Sequence, residues 1–419
     1  MVDRLIQRRL QDFAIEGLGA FRAVVVNGPR QSGKSTLLGL LHQQIGGTSL
    51  TLDDRDLLRS SRTDPTGFVV ERSHPLLIDE VQRGGDPLIL AIKADIDRHP
   101  QDRGRYVLAG SSRFLTVPTI TESLAGRVRI LDLWPFSQGE IDGTNDDFID
   151  VLFQPTDVLR SLAPPVLTRA DVMERVTRGG FPTAVSIENR RLRRDFFVDY
   201  VNTLTQRDLV QLRQPRRVVD VPRLFQAMIA RTAQELVPAN LASDFGLSHD
   251  TVRDYLGLFE TIYTHHLLPA WSTNFASRAS HRPKIHAVDS GLAAAILGVD
   301  AQALARPEHP AAGSLFETFV VGELRRQLTW SDALGRIYHY REHDGREIDV
   351  IIETADGRVG AIEVKAARDV DEHDFRHLRT MRDQLGERFI NGVLIHLGVR
   401  PTSFGDRLTA LPVSALWTA

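Results

Sequence analysis

The 419-residue chain has no cysteine. Disulfides, thiolate metal sites and cysteine nucleophiles are therefore excluded, and a reducing, cytoplasmic setting is the expectation. Long apolar runs are missing too. None approaches the ~18 residues a membrane span needs, so no membrane partner is expected. The chain also lacks an excess of positive charge: its net charge is −3. Any contact with nucleic acid must come from local basic patches. The N-terminal MVDRLIQRRLQDFAIEGLGAF contains Asp3, Asp12 and Glu16 and reads as a surface helix, not a targeting segment. Lysine is scarce. It stands only at Lys34, Lys93, Lys284 and Lys365, and all other basic positions apart from histidine are arginine. A compact ammonium whose pKa moves on burial differs from a planar guanidinium. Retained lysines therefore mark positions where a point charge is wanted.

What is present points first to phosphate. FRAVVVNG is a β-branched run with the look of a buried strand. It leads into a loop of Gly28, Pro29, Arg30, Gln31, Ser32 and Gly33, and then Lys34, Ser35 and Thr36 open an apolar, helix-like run. Strand, glycine-rich loop and helix are the setting of a P-loop. Successive backbone N–H groups and a helix N-terminus bind phosphate oxygens. Lys34 would reach the β- and γ-phosphates, and Ser35 would sit on Mg²⁺.

A second buried strand, in HPLLIDEVQR, ends in Asp79 and Glu80. Neighbouring strand residues point to opposite faces, so the two acids should do different work. Asp79 is suited to hold Mg²⁺ through water, and Glu80 to polarise the attacking water. The strand in RYVLAGSSRFL ends in Ser111 and Ser112, where a polar side chain would sense the γ-phosphate. TSLTLDDRDL and GRVRILDLWPF supply two further strands. Strands alternating with helical segments imply an α/β fold with a parallel, doubly covered sheet, and a nucleotide at the carboxyl ends of its strands.

GPRQSGKSTLL, TLDD, PLLIDEVQR, LAGSSRFL and SLAGRVRILDLWPFS together resemble the AAA-type (P-loop, ASCE) ATPases of bacteria and archaea that carry a C-terminal domain of unknown function. RGGFP (178–182) and YVNTLTQRDLVQL (200–212) extend the resemblance. It implies ATP as the nucleotide, a choice the residues themselves do not make. It also makes Arg127 and Arg207 candidates for a charge-neutralising arginine. An arginine donated by a neighbour would require a homo-oligomer.

Loop signals begin near residue 143, and a helical, arginine-rich segment follows. ANLASDFGLSHDTVRDYLGLFE (239–260) has helix-turn-helix spacing: Ala242 small at the crossing, Gly246 at the turn, Ser248 as N-cap, and Val252, Tyr255 and Leu256 buried. HHLLPAWSTNFASRASHRPKIHAVD would add two strands as a wing, which makes DNA the expected partner. The rival reading is a winged helix used only for packing.

In GSLFETFVVGELRRQL (313–328), Glu317 lies at the margin of an apolar helical stripe. GREIDVIIETADGRVGAIEVKA reads as a β-hairpin, with Glu363 and Lys365 on one strand face. Glu317, Asp349 and Glu363-x-Lys365 resemble the PD-(D/E)xK nuclease superfamily. The resemblance implies that Asp349 and Glu363 gather Mg²⁺, Lys365 serves the attacking water and Glu317 completes the cluster. A shared site demands a register. Asp349 faces Glu363 only if residue 354 opposes 358, leaving the three-residue loop 355–357. A two-residue turn would put Asp349 on the wrong face unless a bulge intervened. The expected organisation is a P-loop domain (1–155), a helical lid or linker (156–235), a winged-helix-like module (236–288) and a restriction-endonuclease-like α/β domain (289–419). Such a chain would couple ATP hydrolysis to DNA binding or processing. Its alternative is an ATP-gated DNA-binding or scaffold regulator whose nuclease fold is inactive.

Overall fold

The computed structural model describes residues 5–111, 126–205, 221–274, 278, 281–342 and 345–419. They divide into two compact units. One holds residues 4–135 with 261–263, and the other residues 136–260 and 264–419.

The first unit is built on five parallel strands: β1 (Ala23–Asn27), β2 (Thr48–Thr51), β3 (Leu76–Asp79), β4 (Tyr106–Gly110) and β5 (Val128–Asp132), in the order β2-β3-β4-β1-β5. The whole of β1 is buried, because both sheet faces are covered. Its alternating side chains feed two cores. Val24 and Val26 pack with Leu37, Leu38 and Leu41 of the helix Lys34–Ile45. Ala23 and Val25 pack with Leu88, Ile92 and Ile96 of the helix Gly85–Arg98. Each buried Val, Leu or Ile contributes roughly 1.5–3 kcal/mol, so the two layers fix the sheet from both sides. The extra strand β4 lies between the strand that enters the P-loop and the strand that ends in Asp79. Its register sets Val26 level with Ala109, and Ile78 level with Leu108. The carboxyl ends of β1, β3 and β4 therefore meet at one height.

The second unit contains two sheets. β6 (Gln234–Glu235), β7 (His265–Leu268) and β8 (Lys284–Ala287) form an antiparallel sheet in the order β6-β8-β7. The expected pair of strands after the helix-turn-helix segment is thus present. Ahead of it, the helix Pro238–Phe245 stops at Gly246, which takes φ 60°. Thr251 N–H donates to Ser248 Oγ at 3.2 Å at the start of His249–Thr261. Val252, Tyr255 and Leu256 are buried.

The larger sheet runs β13-β14-β12-β11-β10-β9. Its strands are β9 (Arg336–Arg341), β10 (Glu347–Glu353), β11 (Val359–Lys365), β12 (Phe389–His396), β13 (Thr402–Ser403) and β14 (Leu408–Pro412). The helix Arg376–Leu385 joins β11 to its parallel neighbour β12 and buries Leu378 and Met381 against the sheet.

The two compact units are divided differently from the expected domains. The first unit ends at Pro135. Residues beyond it are stitched into the second unit: Gln138 N–H donates to Glu323 Oε2 at 2.8 Å, and Asn391 Nδ2 donates to the Leu152 carbonyl at 2.9 Å. Residues 264–419 are continuous within the second unit. Trp271 N–H donates to the His339 carbonyl at 2.6 Å, and His339 N–H donates back to the Pro269 carbonyl at 2.9 Å, tying the β7–β8 connection to β9. RGGFP has a local cause. Gly180 N–H donates to the buried Asp289 at 2.7 Å, and a Cβ on Gly180 would fall 2.2 Å from the Phe136 carbonyl oxygen.

Candidate functional site

The loop between β1 and Lys34–Ile45 has the backbone a phosphate cradle requires. Gly28 takes φ 152° and Gly33 φ 96°, and Gln31 is left-handed at φ 60°. A Cβ at Gly28 would stand 2.2 Å from the Leu133 carbonyl oxygen, so only glycine fits there. The Leu37 amide donates back to the Gly33 carbonyl at 2.9 Å. Amides earlier in that turn have no intrahelical acceptor and point out of the helix N-terminus. Pro29, Ser32 and Lys34 are buried, Arg30 is half-buried, and Gln31, Ser35 and Thr36 are exposed. Ser32 Oγ is buried with no hydrogen-bond partner among the described residues.

Lys34 Nζ donates to the carbonyls of Gly28 at 3.0 Å and Pro29 at 2.7 Å. Burial lowers its pKa to about 8, against the opposing pull of Glu80 and Asp79. An ammonium, a helix N-terminus, an unspent buried hydroxyl and the exposed Ser35 hydroxyl make a donor set that fits a polyphosphate. Asp79 beside them supplies the carboxylate a phosphate-bound Mg²⁺ would use.

Asp79 and Glu80 diverge as expected. Asp79 is buried, and its Oδ1 accepts the Glu80 N–H at 2.9 Å. Glu80 takes a left-handed φ of 52°, which turns its side chain off the strand line. Its Oε2 accepts from Ser111 Oγ at 3.1 Å. Gln82 Nε2 also donates to Glu80 Oε2 and lies 3.3 Å from Ser111 Oγ. Gln82 has no role in the sequence reading, although it stands two residues past Glu80 in DEVQ.

Arg127 lies apart from the cradle in its own chain. It precedes β5, whose Val128 pairs with Ala23, so it lies at the end of the sheet away from Gly28. Five strand residues span roughly 16 Å. Arg127 Nε is bonded to Asp97 Oδ1 at 2.7 Å. In its own chain it does not reach the cradle. Arg207 lies outside the described residues.

The second constellation lies wholly in the other unit. β10 and β11 pair as Val350 with Ile362 and Glu353 with Val359, and Thr354 N–H bonds the Arg358 carbonyl at 3.0 Å. The loop is therefore 355–357, the register that sets Asp349 against Glu363. Gly357 makes the turn at φ 84°. Asp349 Oδ2 accepts the Val364 N–H at 2.9 Å. Glu317, on the helix Ala312–Gln327, lies near Asp349.

The cation among these acids is Lys284, from β8. Its Nζ lies 2.9 Å from Glu317 Oε1, 2.7 Å from Glu347 Oε1 and 3.1 Å from Asp349 Oδ1. Its side chain is 3% exposed. Burial alone would lower the Lys284 pKa, but Glu317, Asp349 and Glu347 outweigh it and hold the ammonium charged. Burial and the Asp349 charge push Glu317 up to about 8. The same two causes raise Glu363 well above the carboxylate range.

Lys365 turns elsewhere. It pairs with Asp374, which belongs to a capping box opening the turn Glu372–Phe375. Among the described residues, no group of three or more His, Asp or Glu side chains is arranged to hold a metal. A divalent ion ~4 Å from the buried ammonium would be repelled by about 8 kcal/mol at an effective dielectric of ~20. The expected Mg²⁺ pair Asp349 and Glu363 and the expected water-activating Lys365 do not fit a metal centre in this arrangement. Lys284 was visible in the sequence only as one of four lysines, and Glu347 carried no signal.

Comparison with known proteins agrees with the nucleotide site. Residues 20–142 match an AAA domain family, residues 169–303 a domain of unknown function (DUF8612) and residues 312–416 another (DUF4143). Residues 20–142 thus carry an AAA-type, ATPase-like domain. Uncharacterized proteins of Mycobacterium tuberculosis and Mycobacterium bovis are each 27% identical over 401 residues, covering 94% of this chain and 81% of theirs. A Walker-type ATPase of Pyrococcus abyssi aligns with a TM-score of 0.44 at 15% identity, over 70% of this chain and 96% of that one. The RuvB Holliday junction branch migration motor of Thermotoga maritima aligns at 0.31 and 16% identity, over 63% and 90%. None of the helices is long and apolar enough to cross a membrane among the described residues.

Proposed function

We propose that the chain is an ATP-driven switch: the P-loop unit binds and hydrolyses ATP, and the second unit carries the output to DNA. The observation that carries this reading is the Glu80 carboxylate held by Ser111 and Gln82 beside the Lys34 cradle. The loop amides and Lys34 bind the phosphates. Ser35 and Asp79 hold Mg²⁺, which supplies charge neutralisation on the transferring phosphoryl group. Glu80 orients the attacking water, and Ser111 keeps that carboxylate in place. Lys34 leaves the Gly28 and Pro29 carbonyls for phosphate oxygens when nucleotide enters. Arg207, or Arg127 of a neighbouring copy, completes the charge neutralisation, and the latter case requires a homo-oligomer. ATP hydrolysis that survives both Lys34→Ala and Glu80→Gln refutes the reading.

Two forms of the output are distinguished by cleavage. Glu317, Asp349, Glu363 and Lys365 motivate an Mg²⁺-dependent, PD-(D/E)xK-like nuclease. The engagement of Lys284 with the acids, and of Lys365 with Asp374, favours the form in which the second unit grips without cutting. The winged-helix-like segment 238–287 is the DNA-contact candidate, with exposed His249 and Arg253 beside exposed Asp250 and Asp254. Salt-sensitive DNA binding without cleavage in Mg²⁺ or Mn²⁺ is the expected result. Absent DNA binding at low salt, with ATPase activity intact, assigns the output to a protein partner.

A further inference from the structure

We infer that the Lys284 ammonium takes the place of a divalent ion in the nuclease-like cluster, so that the second unit closes around a metal-independent charge knot and cleaves no phosphodiester. The geometry is that of a filled site. An ammonium has three N–H donors. Lys284 meets three carboxylate oxygens, on Glu317, Glu347 and Asp349, at 2.9, 2.7 and 3.1 Å. These acids come from the helix Ala312–Gln327 and from β10, and the lysine from β8, so the contact ties distant parts of the chain to one point.

The surrounding groups complete the balance. Arg341 Nη1 stands 3.3 Å from Glu347, His286 Nε2 3.7 Å from Glu317, and His377 Nδ1 3.9 Å from Glu363. The remaining oxygen of Asp349 is taken by the Val364 N–H at 2.9 Å. The lysine of the nuclease-like motif, Lys365, faces Asp374. A divalent ion drawing on Glu317, Glu347 and Asp349 would compete with Lys284 Nζ for these same carboxylate oxygens, which it needs at ~2.0–2.6 Å. The lysine is therefore what separates this cluster from a cation site.

The test measures melting temperature and manganese binding by calorimetry, without nucleotide, on the full-length protein. Wild type is expected to show no saturable Mn²⁺ binding and no shift in millimolar MnCl₂. Lys284→Ala is expected to melt lower in EDTA and to gain about 5 °C on adding Mn²⁺. That gain should vanish in the Lys284→Ala, Asp349→Asn double variant. Saturable Mn²⁺ binding by wild type that is lost on Asp349→Asn overturns the inference. So does a folded Lys284→Ala protein that ignores Mn²⁺. If Lys284→Ala is recovered only unfolded, refolding with and without MnCl₂ decides: recovery by Mn²⁺ supports the replacement, and no recovery overturns it.

Discussion

Ser111 Oγ donates to Glu80 Oε2 at 3.1 Å, joining the end of the central strand to the carboxylate that follows Asp79. The contact fixes a side chain whose backbone is already turned out of the strand. Ser111→Ala is expected to lower the ATPase kcat by about 10- to 100-fold, with KM for ATP changed less than about threefold. Gln82→Ala should act in the same direction. Steady-state ATPase kinetics check both, and an equal fall in kcat/KM carried by KM alone would contradict the positioning role.

Lys34 gives nucleotide binding a pH dependence of known sign. Its pKa is lowered to about 8 by burial in the free protein, and phosphates favour the charged form. Below about pH 8 the ammonium is already present and affinity is flat. Above it, each binding event takes up a proton, so affinity falls by up to tenfold per pH unit. Titration with a fluorescent ATP analogue from about pH 7 to about pH 9 should show that break, and Lys34→Arg should remove it.

Gly28 tests the cradle itself. Alanine there would press a Cβ against the Leu133 carbonyl at 2.2 Å from a φ of 152°. Gly28→Ala should cost about 2–4 kcal/mol of stability in the P-loop unit and abolish nucleotide binding. Chemical denaturation and the same nucleotide titration measure the two effects.

Much of this site is legible in the sequence because its determinants are local. Gly28 to Thr36 lie between a strand and a helix that each declare themselves within a dozen residues. The 355–357 loop follows from arithmetic on Asp349 and Glu363, since a strand has only two faces. Lys284 was out of reach. It meets Glu317 across 33 positions and Asp349 across 65, and no periodicity links β8 to β10. The end of the first unit at Pro135 was hidden for a similar reason. GTNDDF is a genuine turn signal, but turn residues do not say which core the next helix will join. The place of Arg127 was hidden because the residues around it show a residue type and not which end of the sheet it occupies.

Glu323 predicts a stability slope in the second unit. Burial pushes its pKa up to about 7 from a usual 4.5, against the pull of Arg326. The raised value sets the sign: its contribution is full below about pH 4.5 and is lost as pH rises through about 7. Glu323→Gln keeps an acceptor for the Gln138 N–H, which now lies 2.8 Å away. The wild-type melting temperature should therefore fall relative to the variant as pH rises from about 5 to about 8, by several degrees. Calorimetric scans across that range check it.

The bonds that Gln138 and Asn391 make across residues 136–155 bear on how the protein can be divided. A nucleotide-binding fragment ended at 155 would drag away backbone that the remainder needs for its own floor. Severing after Pro135 keeps that backbone with the second piece, but the first then forfeits residues 261–263, including the buried Tyr263 whose hydroxyl reaches Asp132 at 3.0 Å.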